Sequence, residues 1–221
     1  MRFVQFLPNT FTLFNGLSGC MALVAVVQDN PKMTLIWVLI GVFFDSIDGF
    51  VARAFGATSE IGKQLDSLCD VISFGAVPGM FMFRYLSDYL PYNLIPLAVL
   101  GFLITLAVVY RLARFNITPS TQLGFEGMPS PAFALFVVGI PFLPIDIDPL
   151  FIIAVVVLLS LLMVSKIPLP SQKFVKGRPT YFAMVFALLA IPVLILYRSQ
   201  ALSAVVLAYA FFGILYNRLK G

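Results

Sequence analysis

The sequence predicts an all-α protein embedded in a lipid bilayer, and three observations carry that prediction. Apolar residues make up 61% of the 221-residue chain, against roughly 45–50% in soluble domains. Charged residues reach only 11%, too few to coat a water-soluble fold of this size. The apolar residues also fall into runs near the ~20 residues a helix needs to cross a bilayer. Mean hydropathy is +1.01. One polytopic domain, 1–221, accounts for the whole length.

Eight spans are predicted. The first, 11–28, stops at Asp29-Asn30-Pro31, and the second, 33–52, closes on Arg53. The third covers 65–86, and the fourth, 92–113, follows Pro91. The fifth, 131–145, opens at Pro129-Ser130-Pro131 but is short and holds Pro141 and Pro144. After Ile145-Asp146-Ile147-Asp148 comes the sixth, 149–165. A linker from Pro168 to Pro179 leads to the seventh, 180–197, and the eighth, 201–217.

Charge placement supports counting the fifth span. With eight crossings and an inner N-terminus, Arg2, Arg53, Lys63, Arg111, Arg114, Lys166, Lys173, Lys176, Arg178, Arg218 and Lys220 lie inside. Only Lys32, Arg84 and Arg198 lie outside, as the positive-inside bias requires. Removing the fifth span flips everything after it and leaves more basic residues outside than in. Both termini are therefore predicted to be cytoplasmic, in a multi-pass protein of the cell membrane.

Composition also excludes several functions. The net charge of +4 reflects topology, because no basic run interleaves with aromatics as nucleic-acid binding would need. The chain has no histidine, which removes the commonest general base and any imidazole metal site. Cys20 and Cys69 build neither a disulfide framework nor a zinc site. Leu17-Ser18-Gly19-Cys20 has the pattern of a lipoprotein cleavage site. However, Pro8, Asn9, Thr10 and Asn15 interrupt the apolar stretch before it, and seven more spans follow. Cys20 reads as a packed residue of the first helix.

The chemistry lies between the second and third spans. Asp45 and Asp48 fall on adjacent turns of one helical face, with Ala52 about 20° from Asp45. Gly62, Asp66 and Asp70 form a second stripe, which Ser73 extends. Carboxylates at this depth are costly unless paired or metal-bound. Clustered acids with oxygen-only donors suit Mg²⁺, Mn²⁺ or Ca²⁺ better than zinc. A solvated cytoplasmic loop paired with Arg53 and Lys63, or a cation pathway in a transporter, would also use such acids. Two helical stripes argue against the loop. Gly49, Ala52 and Gly62 argue against the pathway, because they clear the same faces for something bulky, and Arg53 offers a fork for phosphate. Carboxylates, small residues and arginine together suggest a nucleotide-diphosphate substrate.

Asp45-x-x-Asp48-Gly49-x-x-Ala52-Arg53, eight residues, then Gly62-x-x-x-Asp66-x-x-x-Asp70 resembles the signature of the CDP-alcohol phosphatidyltransferase family at every specified position of 45–70. The resemblance implies a membrane enzyme that transfers a phosphatidyl group from a CDP-linked lipid to an alcohol and releases CMP. It implies Mg²⁺ or Mn²⁺ on Asp45, Asp48 and Asp66, and Asp70 as general base and further metal ligand. By the same resemblance Asn9, Thr12, Gly49, Ala52, Arg53, Gly62 and Ser73 contact the CDP-lipid, the cavity faces the cytoplasm, and the enzyme is a homodimer.

Further runs resemble the phosphatidylserine synthase branch: Leu7-Pro8-Asn9-Thr10-Phe11-Thr12 with Asn15, Asp66 through Pro78, Ala113 through Asn116, Phe125 through Pro131, and Met163 through Lys166. They imply CDP-diacylglycerol and L-serine as substrates. Glycerol phosphate or inositol phosphate is the alternative acceptor, and a cation transporter the more distant alternative. Cys69 stands where the branch usually has Ala, off the carboxylate stripe, so no consequence is expected. Serine brings a carboxylate and an ammonium. Arg111 and Arg114, with Asn116 beyond, are candidates for the carboxylate or for phosphate, although positive-inside anchoring also explains arginine there. Glu126 is the candidate for the ammonium. Lys166, Lys173, Lys176 and Arg178 suit anionic lipid heads.

Overall fold

The computed structural model describes residues 3–56, 59–117, 128–165 and 198–220, and every regular element among them is helical. Helix α1 is Phe3–Val27 and α2 is Pro31–Ala54. A long rod, Glu60–Tyr89, contains α3 (Glu60–Asp70), a π-helical stretch (Val71–Ala76) and α4 (Val77–Tyr89). A 3₁₀ segment, Tyr92–Phe102, runs into α5, Leu103–Ile117. Then come α6 (Ser130–Gly139), α7 (Pro149–Val164) and α8 (Leu202–Lys220). The seventh predicted span, with Lys166, Lys173, Lys176, Arg178 and Glu126, lies outside the described residues.

Four of these helices are long and apolar enough to cross a bilayer: Leu7–Val27, Pro31–Ala54, Glu60–Tyr89 and Tyr92–Ile117. At 24 residues, α2 spans about 36 Å. Ser130–Phe142 and Pro149–Val164 are apolar but shorter. The fifth predicted span is cut at Pro141, which has no N–H to continue an α-helix; the chain tightens to a 3₁₀ turn, Ile140–Phe142, and then extends at Leu143.

Local chemistry sets the helix starts. The Asn30 side chain accepts from Met33 N at 3.1 Å, with Pro31 in the first turn of α2. Ser59 accepts from Gly62 N at 3.0 Å and opens α3 five residues before the apolar pattern begins. Asp148 accepts from Leu150 N at 2.7 Å and opens α7 before Pro149. Pro8 lies inside α1 and does not stop it.

Proline also explains the π-helical stretch. Pro78 gives no N–H to the preceding turn, and the chain re-registers so that Val77 N bonds Ile72 O. The carbonyl of Gly75 is satisfied from outside, by Thr105 Oγ1 of α5 at 2.9 Å. Ser73, within this stretch, faces α1 as Asp70 does, and its Oγ donates to Asn15 O at 2.9 Å.

Packing has the character expected in lipid, with small residues letting backbones approach. A Cβ at Gly101 would lie 2.7 Å from Phe83 N, so the 3₁₀ segment sits directly against α4. Ser203 Oγ of α8 donates to Phe136 O of α6 at 2.7 Å. The core gathers Phe74, Met82, Leu86, Ile104, Phe133 and Met163, all essentially fully buried. Outer faces are just as apolar: Leu17, Phe43, Leu158, Leu161 and Phe211 are all more than half exposed. Lipid tolerates such faces, and water does not.

Helix α1 is the hub. It packs along α2 for most of its length and also lies against α3, the π-helical stretch and α4. Helices α2 and α3 hardly approach each other directly. Gly16 makes the α1–α3 contact close, since a Cβ there would lie 2.8 Å from Cys69 Sγ. Gly16→Ala should therefore overpack this interface and cost about 1–3 kcal/mol. Thermal unfolding in detergent should show the lowered Tm, and Cys69→Ala should restore most of it by vacating the space.

Candidate active site

Helix α2 ends in a short reversal, with Gly56 at φ +58°, a left-handed conformation that glycine adopts freely. Ser59 then caps α3, so the last turns of α2 and the first turns of α3 lie at one end of the bundle. Because α1 lies against both and holds them apart, their side chains meet across a cleft and the backbones do not. Asp45 and Asp48 enter that cleft from α2, and Asp66 enters it from α3. One carboxylate oxygen from each lies within 4.8 Å of the other two.

Asp48 is only 5% exposed, and its Oδ2 has no hydrogen-bond partner. A buried, unsatisfied carboxylate oxygen among other carboxylates is a strongly unfavourable arrangement on its own. Three hard oxygen donors at this spacing fit a divalent cation, which removes both the repulsion and the missing partner. Asp45, Asp48 and Asp66 are the residues that could hold it.

Asp70 is placed differently. One turn beyond Asp66, it is 8% exposed and lies outside that group of three. Its Oδ1 accepts a hydrogen bond of 2.9 Å from Asn15 Nδ2 of α1. The two stripes of the sequence thus resolve into three gathered carboxylates and a fourth tied to the neighbouring helix.

The small residues have identifiable neighbours. A Cβ at Gly62 would lie 3.0 Å from Asn9 Oδ1, so this glycine lets α1 bring Asn9 to the start of α3. A Cβ at Gly49 would lie 3.2 Å from Arg53 Nη1, so the guanidinium folds back over the glycine one turn earlier. Ala52 is half-buried on the same helix. Thr12 is buried and donates to Pro8 O at 3.1 Å. Ser73 is buried at the α1 interface, its hydroxyl engaged with Asn15 O.

The candidate serine residues separate into two groups. Arg111 Nη1 donates to Ser130 Oγ at 3.0 Å, and the guanidinium is within electrostatic range of Asp70. Arg114 Nη1 donates to Val164 O at 3.0 Å and so closes the end of α7. Asn116 Nδ2 donates to Ser67 Oγ at 2.9 Å, and Lys63 Nζ donates to Asn116 O at 2.9 Å. Asn116 therefore ties α5 to α3. Sequence reasoning missed that tie, and it also missed the bond between Asn15 and Asp70. Asn15, a polar residue in the middle of an apolar helix, was the available signal.

The family model described as CDP-alcohol phosphatidyltransferase matches residues 5–215, nearly the whole chain. The chain belongs to the CDP-alcohol phosphatidyltransferase family. This membership answers the transporter alternative, because the family is one of transferases. Among similar proteins is the CDP-diacylglycerol–serine O-phosphatidyltransferase of Helicobacter pylori, 34% identical over 220 residues, covering 94% of this chain and 89% of that protein. The enzyme of the same name from Mycobacterium leprae is 32% identical over 201 residues, covering 85% of this chain and 66% of that protein. The archaetidylserine synthase of Methanothermobacter thermautotrophicus is 32% identical over 166 residues, covering 74% of this chain and 69% of that protein.

Metal binding at the cleft of this CDP-alcohol phosphatidyltransferase is directly testable. Asp48→Asn keeps the shape of the side chain but removes one charged ligand. Lost partners of metal ligands already cost 10–100-fold in affinity, and a lost ligand should cost at least about tenfold. The rise in Tm on adding Mn²⁺ should need correspondingly more metal in Asp48→Asn, while the Tm without metal should hold or rise as carboxylate repulsion is relieved.

Proposed function

We propose that this protein transfers the phosphatidyl group of CDP-diacylglycerol to the hydroxyl of L-serine, giving phosphatidylserine and CMP. The observation that carries this reading is the gathering of Asp45, Asp48 and Asp66 across the α2–α3 cleft, in a chain whose relatives are named for serine transfer. The names of two relatives differ in the lipid half and agree on serine, which favours serine over glycerol phosphate or inositol phosphate.

In this reading Asp45, Asp48 and Asp66 hold Mg²⁺ or Mn²⁺, which when bound supplies Lewis-acid stabilisation to the diphosphate and the departing phosphate. The acyl chains stay in lipid while Asn9, Gly49, Ala52, Arg53 and Gly62 line the approach of the cytidine diphosphate. Arg53, on the last turn of α2, offers its guanidinium to a phosphate oxygen. Thr12 and Ser73 support this wall from behind through α1. Asp70 takes the proton of the serine hydroxyl as that oxygen bonds to the phosphorus bearing the diacylglycerol. The bond from that phosphorus to the bridging oxygen breaks, and CMP leaves with the electron pair. A carboxylate is the natural base in a chain without histidine.

Arg111, within electrostatic range of Asp70, grips the serine carboxylate. Arg114 and Asn116 support it by fixing the ends of α7 and α3, and Glu126 meets the ammonium. The enzyme crosses the cell membrane eight times with both termini and the cleft cytoplasmic, and it works as a homodimer. The distribution of basic residues supports the orientation, and the family resemblance supports the dimer.

Adding L-serine to proteoliposomes that hold the protein, CDP-diacylglycerol and Mn²⁺ should release CMP in step with phosphatidylserine. Release with glycerol phosphate or inositol phosphate but not serine would overturn the acceptor assignment. Asp70→Asn should lower the rate by about 10²–10⁴-fold with CDP-diacylglycerol still bound; a near-normal rate would remove Asp70 as base. Arg111→Lys keeps the charge but loses the two-pronged grip, so the KM for serine should rise about tenfold or more, with nucleotide-lipid affinity unchanged. An unchanged KM would make Arg111 a structural anchor.

A further inference from the structure

Asn15 is fully buried midway along α1, between the buried hydroxyls of Thr12 and Ser18. Its amide is used unequally. Nδ2 donates to Asp70 Oδ1 at 2.9 Å, whereas Oδ1 has no hydrogen-bond partner. On that side stands Gly41 of α2, where a Cβ would lie 3.2 Å from Asn15 Oδ1. A buried acceptor without a donor costs stability, and an apolar side chain of the same size would avoid that cost. Flipping the amide would not help. It would set two acceptor oxygens against each other at Asp70 and aim the N–H₂ at a residue with no side chain. The orientation of Asn15 is therefore fixed by Asp70 alone.

The same residue is held from the other side. Ser73 Oγ donates to the Asn15 carbonyl at 2.9 Å, and Ser73 belongs to the π-helical stretch that begins just after Asp70. Asn15 and the Asp70 turn thus grip each other twice, once through side chains and once through the backbone of α1. Meanwhile Asp45, Asp48 and Asp66 gather without Asp70.

We propose that Asn15 is a positioning residue that holds Asp70 by one carboxylate oxygen and so aims its second oxygen at the acceptor hydroxyl, whose proton it takes. This rests on the reading of Asp70 as base. A tethered carboxylate is pre-organised, whereas an untethered one would sample other rotamers and lose its place beside the acceptor. Asn15 itself touches no substrate.

The test is Asn15→Leu in the full-length protein in proteoliposomes, with serine and CDP-diacylglycerol titrated separately. The expected result is a kcat about 10- to 100-fold lower, the size of a lost hydrogen bond to a charged group, with both KM values within about twofold. Packing alone would not produce that split. A kcat within twofold of the parent, or KM values rising in parallel with the loss, would overturn the proposal. If Asn15→Leu fails to fold, Asn15→Ala must show the same split. Failure of both to fold would also overturn the proposal, because Asn15 would then be holding the bundle. Asp70→Asn is run alongside to separate the two readings. If it stays active, the assignment of Asp70 as base fails; if it is inactive while the Asn15 variants are normal, only the positioning role fails.

Discussion

Carboxylates cannot be packed together inside a helical bundle at low dielectric without something to neutralise them. The architecture of this protein follows from that constraint. Helices α2 and α3 carry the acids, and they stand apart with α1 wedged along both. Had α2 and α3 packed directly, as consecutive antiparallel helices commonly do, the aspartates would have been forced into contact or turned into lipid. The wedge leaves a cleft wide enough for three carboxylates and a cation.

The remaining polar groups of the bundle serve that separation. Thr105 donates to the Gly75 carbonyl of the π-helical stretch, Ser73 bonds α1, and Asn116 with Lys63 and Ser67 joins α5 to α3. In lipid, helix association gains little from the hydrophobic effect, so hydrogen bonds and close approach at small residues set the arrangement. Gly79 against Thr105, Gly19 against Ser73, Gly139 against Ser203, Gly101 against Phe83 and Gly16 against Cys69 are such approaches.

The membrane character, the helical class and the acidic hairpin were legible in the sequence because each rests on a strong, local regularity: apolar run length, helical periodicity and fixed spacing. Boundaries were less legible. Ser59 begins α3 earlier than the apolar pattern does, because a cap acts on backbone N–H groups that hydropathy does not register. The two stripes placed Asp66, Asp70 and Ser73 on one face by assuming an unbroken α-helix. Pro78 was visible, but the π-helical stretch before it was not, and only the tertiary structure shows Thr105 donating to the Gly75 carbonyl within it. Asn116 and Arg114 read as ligand residues because their type and depth suit that role. Only tertiary placement shows them spending their donors on Ser67 and on Val164.

The π-helical stretch links the acidic hairpin to the rest of the bundle in a way that limits its portability. Its Gly75 carbonyl is bonded from α5, its serine from α1, and the aspartate just before it from Asn15. Transplanting residues 45–70 into another helical scaffold would carry every position of the motif yet leave those three attachments behind. The borrowed acids would collapse onto a single cation. The acidic cleft is therefore supported by four helices, α1, α2, α3 and α5, of which the signature at 45–70 covers only the facing parts of two.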